Sequence, residues 1–320
     1  MERAVAPEQE RAFIILNPVA GNSTPDEVRA VLERTLGAKG WRYDIYETTG
    51  HDDMRAEVDR ALAEGCDLVV AAGGDGTVSI VANTLADTGV PLGILPIGTA
   101  NVLALELGIP RVLEEAAALF AGELVFRELD MMRVRNRNFI LQIGIGLDSM
   151  MIKDTARSAK RIFGRLAYMA TLVGKLFGYQ SQRYTIMVDG QRLRPRAWQV
   201  LVANAGTLGI PPFKWGPDIS PADHELDLCI FSVRRAIDYV RLLRQFVTGK
   251  PVKGSNVMYR RIQKHVMIST DRPLPVQADG EIIGETPIEI DVVPRGIKIV
   301  VPASTSPAPV VSVAEEVHHD

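Results

Sequence analysis

No stretch restricts the fold of this chain more than residues 66–77, from Cys66 to Thr77. The β-branched, apolar run Leu68-Val69-Val70-Ala71-Ala72 passes directly into Gly73-Gly74-Asp75-Gly76-Thr77. Residues 78–87 then carry apolar side chains at helical spacing. The pattern predicts a strand, a tight loop and a helix. Glycines let a backbone approach a ligand closely, and a helix N-terminus presents N–H groups and a positive dipole end to an anion. Asp75 is the informative departure, because a carboxylate in a phosphate cradle repels the phosphate unless a cation stands between them. The loop therefore suits a polyphosphate carrying Mg²⁺, with Asp75 near the metal. The other reading is a glycine-rich connection in an ordinary α/β domain.

The flanking sequence repeats the same grammar. Ala12 to Leu16 reads as a buried strand ending at Asn17-Pro18-Val19-Ala20-Gly21. Thr24, Pro25 and Glu27 form a capping-box pattern for a helix reaching about Leu36. Arg42 to Tyr46 reads as a second strand and residues 52–64 as a second helix. Pro91 to Pro96 is a fourth strand, followed by Ile97-Gly98-Thr99-Ala100-Asn101 and a helix from about Val102. Four strands alternating with helices imply a parallel sheet that binds ligands at the carboxyl ends of its strands. Asn17, Thr48, Gly73 to Thr77, Thr99 and Asn101 all fall on that edge. Taken singly, each also reads as a cap or turn residue.

At 320 residues the chain has room for about two domains, and the pattern changes near Leu129-Asp130. Residues 1–130 form the expected α/β nucleotide-binding domain. Alternating runs beyond them, such as Phe139 to Ile143, Tyr184 to Val188 and Leu226 to Ser232, predict a β-sandwich over 131–296. Asp189-Gly190 and Asp279-Gly280 are hairpin turn signals. Helical stretches interrupt at about 152–177 and 235–248, and the tail 302–320 reads as disordered. Cys66 and Cys229 fit neither a zinc pattern nor a disulfide framework, and no secretory h-region opens the chain. A cytoplasmic setting is the expectation.

The net charge of −3 conceals an asymmetry: residues 1–130 carry −12, residues 131–265 carry +15 and residues 266–320 carry −6. A basic middle in an acidic protein points to an anionic partner surface. Lys153, Arg157, Lys160, Arg161, Arg165 and Lys175 alternate with apolar and aromatic residues, which suits an anionic bilayer surface. A helix docked on the sandwich with solvated cations fits equally. No nucleic-acid motif accompanies the charge. The five histidines show no ligand spacing, and Gly144 to Ser149 lacks the third glycine of a dinucleotide fingerprint. Asp279-Gly280-Glu281 resembles the turn at Asp189-Gly190-Gln191, so a turn is its first reading. Glu281 adds a second carboxylate, and phosphoryl transfer to an alcohol profits from a carboxylate that accepts the hydroxyl proton.

The ordered set of motifs resembles the diacylglycerol kinase catalytic family, the bacterial soluble lipid kinases related to sphingosine and ceramide kinases. The matching pieces are Asn17 to Gly21, Thr48 ahead of Gly50-His51, Gly73 to Thr77, Pro96 to Asn101, Asp130, Gly146-Leu147-Asp148 and Asp279-Gly280-Glu281. The resemblance implies a Rossmann-like N-terminal domain, as in NAD and diacylglycerol kinases, a C-terminal β-sandwich, and last strands near 297–301 that return to the first domain. It implies ATP contacts from Thr48, residues 73–77 and Thr99, with Asp75 helping to place catalytic Mg²⁺. It also makes Asp279 the general base with Glu281 beside it. Ser220, Asp223 and Glu225 match the family's structural Mg²⁺ turn, where the resemblance implies a side-chain oxygen from Asp223 and backbone carbonyls from Ser220 and Glu225. His224 stands where glycine is usual in that turn, and Val102 where many members have aspartate. The implied activity is phosphorylation of a diacylglycerol-like membrane lipid by a peripheral enzyme, with homodimer formation open. The alternatives are a kinase of a sphingoid, ceramide-like or other lipid, a kinase of a soluble substrate such as NAD, and a nucleotide- or lipid-sensing module without catalysis. All enzymatic readings need Asp75 and Asp279 on one crevice.

Overall fold

The computed structural model describes residues 10–21, 23–50, 52–154, 181–208, 213–216, 218–232 and 257–303, together with positions 238, 241, 244 and 248. The basic segment 152–177 lies almost wholly outside these residues. So do His51, most of the helix expected at 235–248, and the tail from residue 304 with His318 and His319.

The first half begins β1 (Arg11–Leu16), α1 (Pro25–Thr35), β2 (Arg42–Glu47), α2 (Met54–Ala63) and β3 (Leu68–Ala72). It continues α3 (Asp75–Leu85), β4 (Leu92–Leu95), α4 (Val102–Glu106) and α5 (Leu113–Ala117). The four strands are parallel in the order β2-β1-β3-β4. Helices cover both faces, so β1 and β3 read as continuous apolar runs rather than alternating ones. Ile14, Ile15, Leu68 and Val70 are fully buried, each worth about 1.5–3 kcal/mol. The capping box forms as the residues predict: Thr24 Oγ1 accepts from Glu27 N–H at 3.3 Å, and Glu27 accepts from Thr24 N–H at 2.7 Å.

The second half opens with β5 (Phe126–Val134), β6 (Arg137–Phe139), β7 (Gln142–Gly146), α6 (Leu147–Asp154), β8 (Gln182–Val188) and β9 (Gln191–Leu193). Then come β10 (Arg196–Ala197), β11 (Gln199–Ala203), β12 (Leu226–Phe231), β13 (Val257–Ile262) and β14 (His265–Thr270). The last three strands are β15 (Pro275–Ala278), β16 (Glu281–Glu285) and β17 (Ile288–Val300). One antiparallel sheet runs β13-β12-β11-β7-β15-β16. It packs on the β10-β8-β14-β17 part of the other sheet, through Ile143, Ile145, Ile186, Val202, Leu228 and Ile290. This is the expected sandwich.

Three features differ from the sequence expectation. Residues 288–292 and 297–300 form one strand, β17, whose pairing with β5 shifts register between Val293 and Ile297. Its end pairs in parallel with β4 at Ile299 and Leu92, so a single sheet runs through both halves. The boundary expected after Asp130 falls inside β5. Finally, the run Phe139 to Ile143 is broken at Ile140-Leu141, because these two N–H groups turn towards the Asp279 carboxylate instead of a neighbouring strand.

Candidate active site

The loops after β1, β3 and β4 are laced together. Asn17 N–H donates to Ala72 O at 2.9 Å, and Gly98 N–H to Gly73 O at 3.2 Å. A Cβ on Gly21, whose φ is +63°, would stand 1.6 Å from Ile97 O. One on Gly98 would lie 2.3 Å from the Gly74 Cα. Two backbones meet there, so no side chain fits. Asn101 holds its own loop by donating from Nδ2 to Pro96 O and Gly98 O, both at 2.7 Å. Asn17 Nδ2 donates to Thr77 Oγ1 at 3.4 Å. Thr48 is buried at the end of β2, its N–H on Leu16 O. Thr99 is exposed and its carbonyl accepts from Arg111 at 3.5 Å.

No side chain caps the first turn of α3, whose N-cap is Gly74. A Cβ on Gly76 would meet nothing within 4 Å. The loop therefore offers an open, N–H-lined concavity of the kind that takes an anion. Asp75 sits in it for a reason the sequence did not show. Its Oδ2 accepts from Asn101 N–H at 3.0 Å and its Oδ1 from Val102 N–H at 2.5 Å. The carboxylate thus caps the start of α4 and clamps the two loops together.

Asp279 makes a second clamp. Its Oδ1 accepts from Leu141 N–H and Gln142 N–H, both at 3.0 Å, and its Oδ2 from Ile140 N–H at 2.9 Å. Ser79 Oγ on α3 supplies the fourth donor at 3.1 Å. Burial pushes this carboxyl up from the usual range, while the three N–H groups and the Ser79 hydroxyl pull against it. Asp189 repeats the arrangement at the other hairpin: φ is +46° at both aspartates. Its carboxylate takes the N–H groups of Gln263, Lys264 and His265. The turn reading of Asp279 is therefore realised, and what sets Asp279 apart from Asp189 is the bond to Ser79.

Ser79 brings the two halves of the site together. Gly76, Ser79, Ile80 and Asn83, one stripe of α3, form one wall of a crevice; Arg137, Phe139, Asp279 and Glu281 form the other. Asn83 Oδ1 accepts from Asn138 N–H across it. Glu281 is half exposed and pairs with Arg137, Nη2 to Oε2 at 3.3 Å. The Arg137 guanidinium also lies 5.0 Å over the Phe139 ring. Asp279 and Gly76, the residue after Asp75, thus border the same crevice; Asp75 itself does not line it, and its carboxylate faces the start of α4. Sequence reasoning missed Ser79, Asn83 and Arg137; the only available signal was the i, i+3, i+7 spacing of small polar residues on α3.

The turn with Ser220, Asp223 and Glu225 lies elsewhere, against Asp130. The Asp130 carboxylate, fully buried, accepts from His224 N–H at 2.7 Å and Arg295 N–H at 2.9 Å, and the His224 ring Nδ1 lies 3.3 Å from it. His224 has φ +67°. Ser220 Oγ accepts from Ala222 N–H, and Asp223 Oδ1 from Glu225 N–H. Glu225 is held below the usual carboxylate range by the Gln263 amide and the Arg261 guanidinium. Among the described residues no three acidic, histidine or cysteine side chains converge as metal ligands. The Asp223 carboxylate, the one side-chain ligand the resemblance implies, accepts from Glu225 N–H on Oδ1 and lies 3.9 Å from the Arg261 guanidinium on Oδ2; the other implied ligands are the backbone carbonyls of Ser220 and Glu225.

Two family profiles match the chain. The diacylglycerol kinase catalytic domain covers residues 11–134, and the YegS C-terminal NAD kinase beta sandwich-like domain covers residues 142–301. The diacylglycerol kinase of Bacillus subtilis strain 168 is 29% identical over 297 residues, which is 92% of this chain and 97% of that protein. An uncharacterized Synechocystis protein, sll0036, is 28% identical over 312 residues, covering 92% of this chain and 70% of its own length. A crystal structure of a diacylglycerol kinase from Bacillus anthracis strain Sterne superposes with a TM-score of 0.72 at 22% identity, covering 94% of this chain and 100% of that one. With both halves matched in order around the crevice that Ser79 joins, the chain belongs to the diacylglycerol kinase catalytic family.

Proposed function

We propose that the protein transfers the γ-phosphoryl group of ATP to a hydroxyl of a membrane lipid, a diacylglycerol-like molecule first among the candidates. The observation that carries this reading is the shared crevice: the open N-terminus of α3 and the carboxylate pair Asp279-Glu281 border the same space. Gly74, Gly76 and Thr77 would hold phosphate through backbone N–H groups, with Asn17, Thr48, Thr99 and Asn101 shaping the cradle. Mg²⁺ characteristically binds through one or two carboxylates plus the substrate's phosphates, so Asp75 would be a sufficient protein contribution. When bound, the ion would neutralise charge on the transferring group.

Proton transfer is assigned to Glu281 rather than Asp279. A base must present an oxygen to the alcohol, and both Asp279 oxygens are committed to donors within the protein. Glu281 is half exposed at the crevice. Asp279 would then position Glu281, two residues on, by locking the hairpin. The net charge of +15 over residues 131–265 supports peripheral attachment to an anionic, cytoplasmic membrane face. No helix among the described residues is long and apolar enough to cross a membrane.

The test is incubation with labelled ATP, Mg²⁺ and a total lipid extract, with NAD alone as a parallel acceptor, followed by identification of the labelled product. Label in a lipid supports the reading. Label in NAD without lipid, or nucleotide binding with no labelled product, would replace it.

A further inference from the structure

Phosphoryl transfer requires positive charge at the transferring group, and the phosphate-side loops hold none. Residues 17–21, 48–50, 73–77 and 96–101 contain neither lysine nor arginine. Arg111 touches the Thr99 carbonyl at 3.5 Å but does not line the crevice. Among the described residues, the cation that does line it is Arg137, on β6 of the opposite half.

We infer that Arg137 is a catalytic arginine which exchanges its ion pair with Glu281 for the transferring phosphoryl oxygens, and so releases Glu281 to take the acceptor's proton. The inference rests on the kinase reading above and adds to it a charge donor and a trigger.

Two observations carry it. First, Arg137 is held loosely. Its partners are a half-exposed carboxylate at 3.3 Å and the face of Phe139. Exposed ion pairs and cation–π contacts of this kind are weak. Charge-assisted hydrogen bonds are roughly twice as strong as neutral ones, and the planar guanidinium fork matches phosphate oxygens. Second, the crevice is narrow. It holds about 30 Å³, room for a water or two. Of the side chains whose mutual contacts close it, Arg137 and Glu281 are the charged and exposed pair. While that pair persists, Glu281 Oε2 is held by the guanidinium.

The step balances without further reagents. The alcohol oxygen forms a bond to the γ-phosphorus as the bond from that phosphorus to the β,γ-bridging oxygen breaks. The alcohol proton goes to Glu281, which later gives it to water, and ADP carries the leaving charge. Arg137 bonds the equatorial oxygens while charge accumulates on them.

The experiment uses the full chain. Wild type is first assayed with labelled ATP and the lipid extract, then Arg137→Ala and Arg137→Lys with the lipid found to be labelled. Arg137→Ala should lower kcat by about 10²- to 10³-fold while ATP affinity, measured without lipid, changes by less than about threefold. Added guanidinium ion should restore at least about tenfold, and Arg137→Lys should fall in between. The variant should also lose affinity for Mg·ADP with aluminium fluoride, a mimic of the transferring group, by a factor close to its loss in kcat. Retained kcat in Arg137→Ala would overturn the inference and leave the kinase reading standing. A lowered kcat with no guanidinium rescue and unchanged analogue binding would overturn it too, by showing a merely structural arginine. No labelled acceptor from wild type would remove both.

Discussion

Ser79 Oγ donates to Asp279 Oδ2 at 3.1 Å across 200 residues of sequence, from the helix that begins at the glycine loop to the hairpin that ends at Glu281. One turn of α3 therefore separates the end of the site proposed for phosphate from the end proposed to accept the proton. The helix is the ruler between them, about 5.4 Å per turn.

The first prediction compares two aspartates. Asp279→Asn and Asp189→Asn each place an amide N–H₂ group against backbone N–H donors. Asp279→Asn should lose about 3 kcal/mol of stability and Asp189→Asn, whose turn is exposed, about 1 kcal/mol, each read as a lower midpoint in denaturant. Only Asp279→Asn should also lose activity per folded molecule, because only Asp279 positions Glu281. Equal specific activity in the two variants would disprove that positioning role.

A second comparison separates the cradle from its supports. Gly76→Ala adds a methyl group to open space, so its melting temperature should stay within about 2 °C of wild type. ATP affinity should nevertheless fall by at least about tenfold, as the methyl group occupies the anion's place. Gly98→Ala drives a Cβ into the Gly74 backbone and should destabilise by about 2 kcal/mol or more. Calorimetry and nucleotide titration on both variants distinguish the two effects.

Metal removal addresses the turn at 220–225. Since Asp223, the one side-chain ligand implied there, already accepts from Glu225 N–H and lies near Arg261, chelation should leave the melting temperature unchanged within about 1 °C. Arg261→Ala, by contrast, should lower it. A large drop on chelation would reinstate a structural cation there.

The fourth prediction concerns pH. Burial, with Asp223 nearby, raises the Asp227 carboxyl to about 6. A raised carboxyl binds its proton more tightly in the folded chain, so the protonated side chain favours folding. That contribution is full below the unfolded value near 4 and is lost as pH rises through about 6. Asp227→Asn should therefore stabilise the protein at pH 7.5 by about 1–2 kcal/mol after solvent screening of this partly exposed group. The gain should vanish below pH 4. A gain independent of pH would point to packing rather than charge.

Much of this architecture is legible in the residues. The parallel strands announce themselves as unbroken apolar runs, and Thr24 with Glu27 marks a helix start that forms as written. β15 escapes notice because its first residue is Pro275 and, beside the adjacent β16, it pairs with β7, far back along the chain. The site is legible in its glycines and its aspartates, but not in their use. Asp75 suggested a metal because repulsion was the visible problem; the N–H groups of Asn101 and Val102 that it also accepts from lie 26 and 27 residues away. The likeness of Asp189 and Asp279 could be read from the two dipeptides. The partners that divide their roles, Ser79 and Arg137, are brought in by tertiary packing, which local pattern does not encode.

β17 bears on how the molecule comes apart. Because this one strand is bonded to β5, β14 and β4, neither half can peel away without tearing the common sheet. The chain should thus melt in a single calorimetric transition, and a fragment ending at residue 130 should fail to fold. Substrate entry must then come from side chains parting at the rim, since a hinge between the halves would have to bend that shared strand.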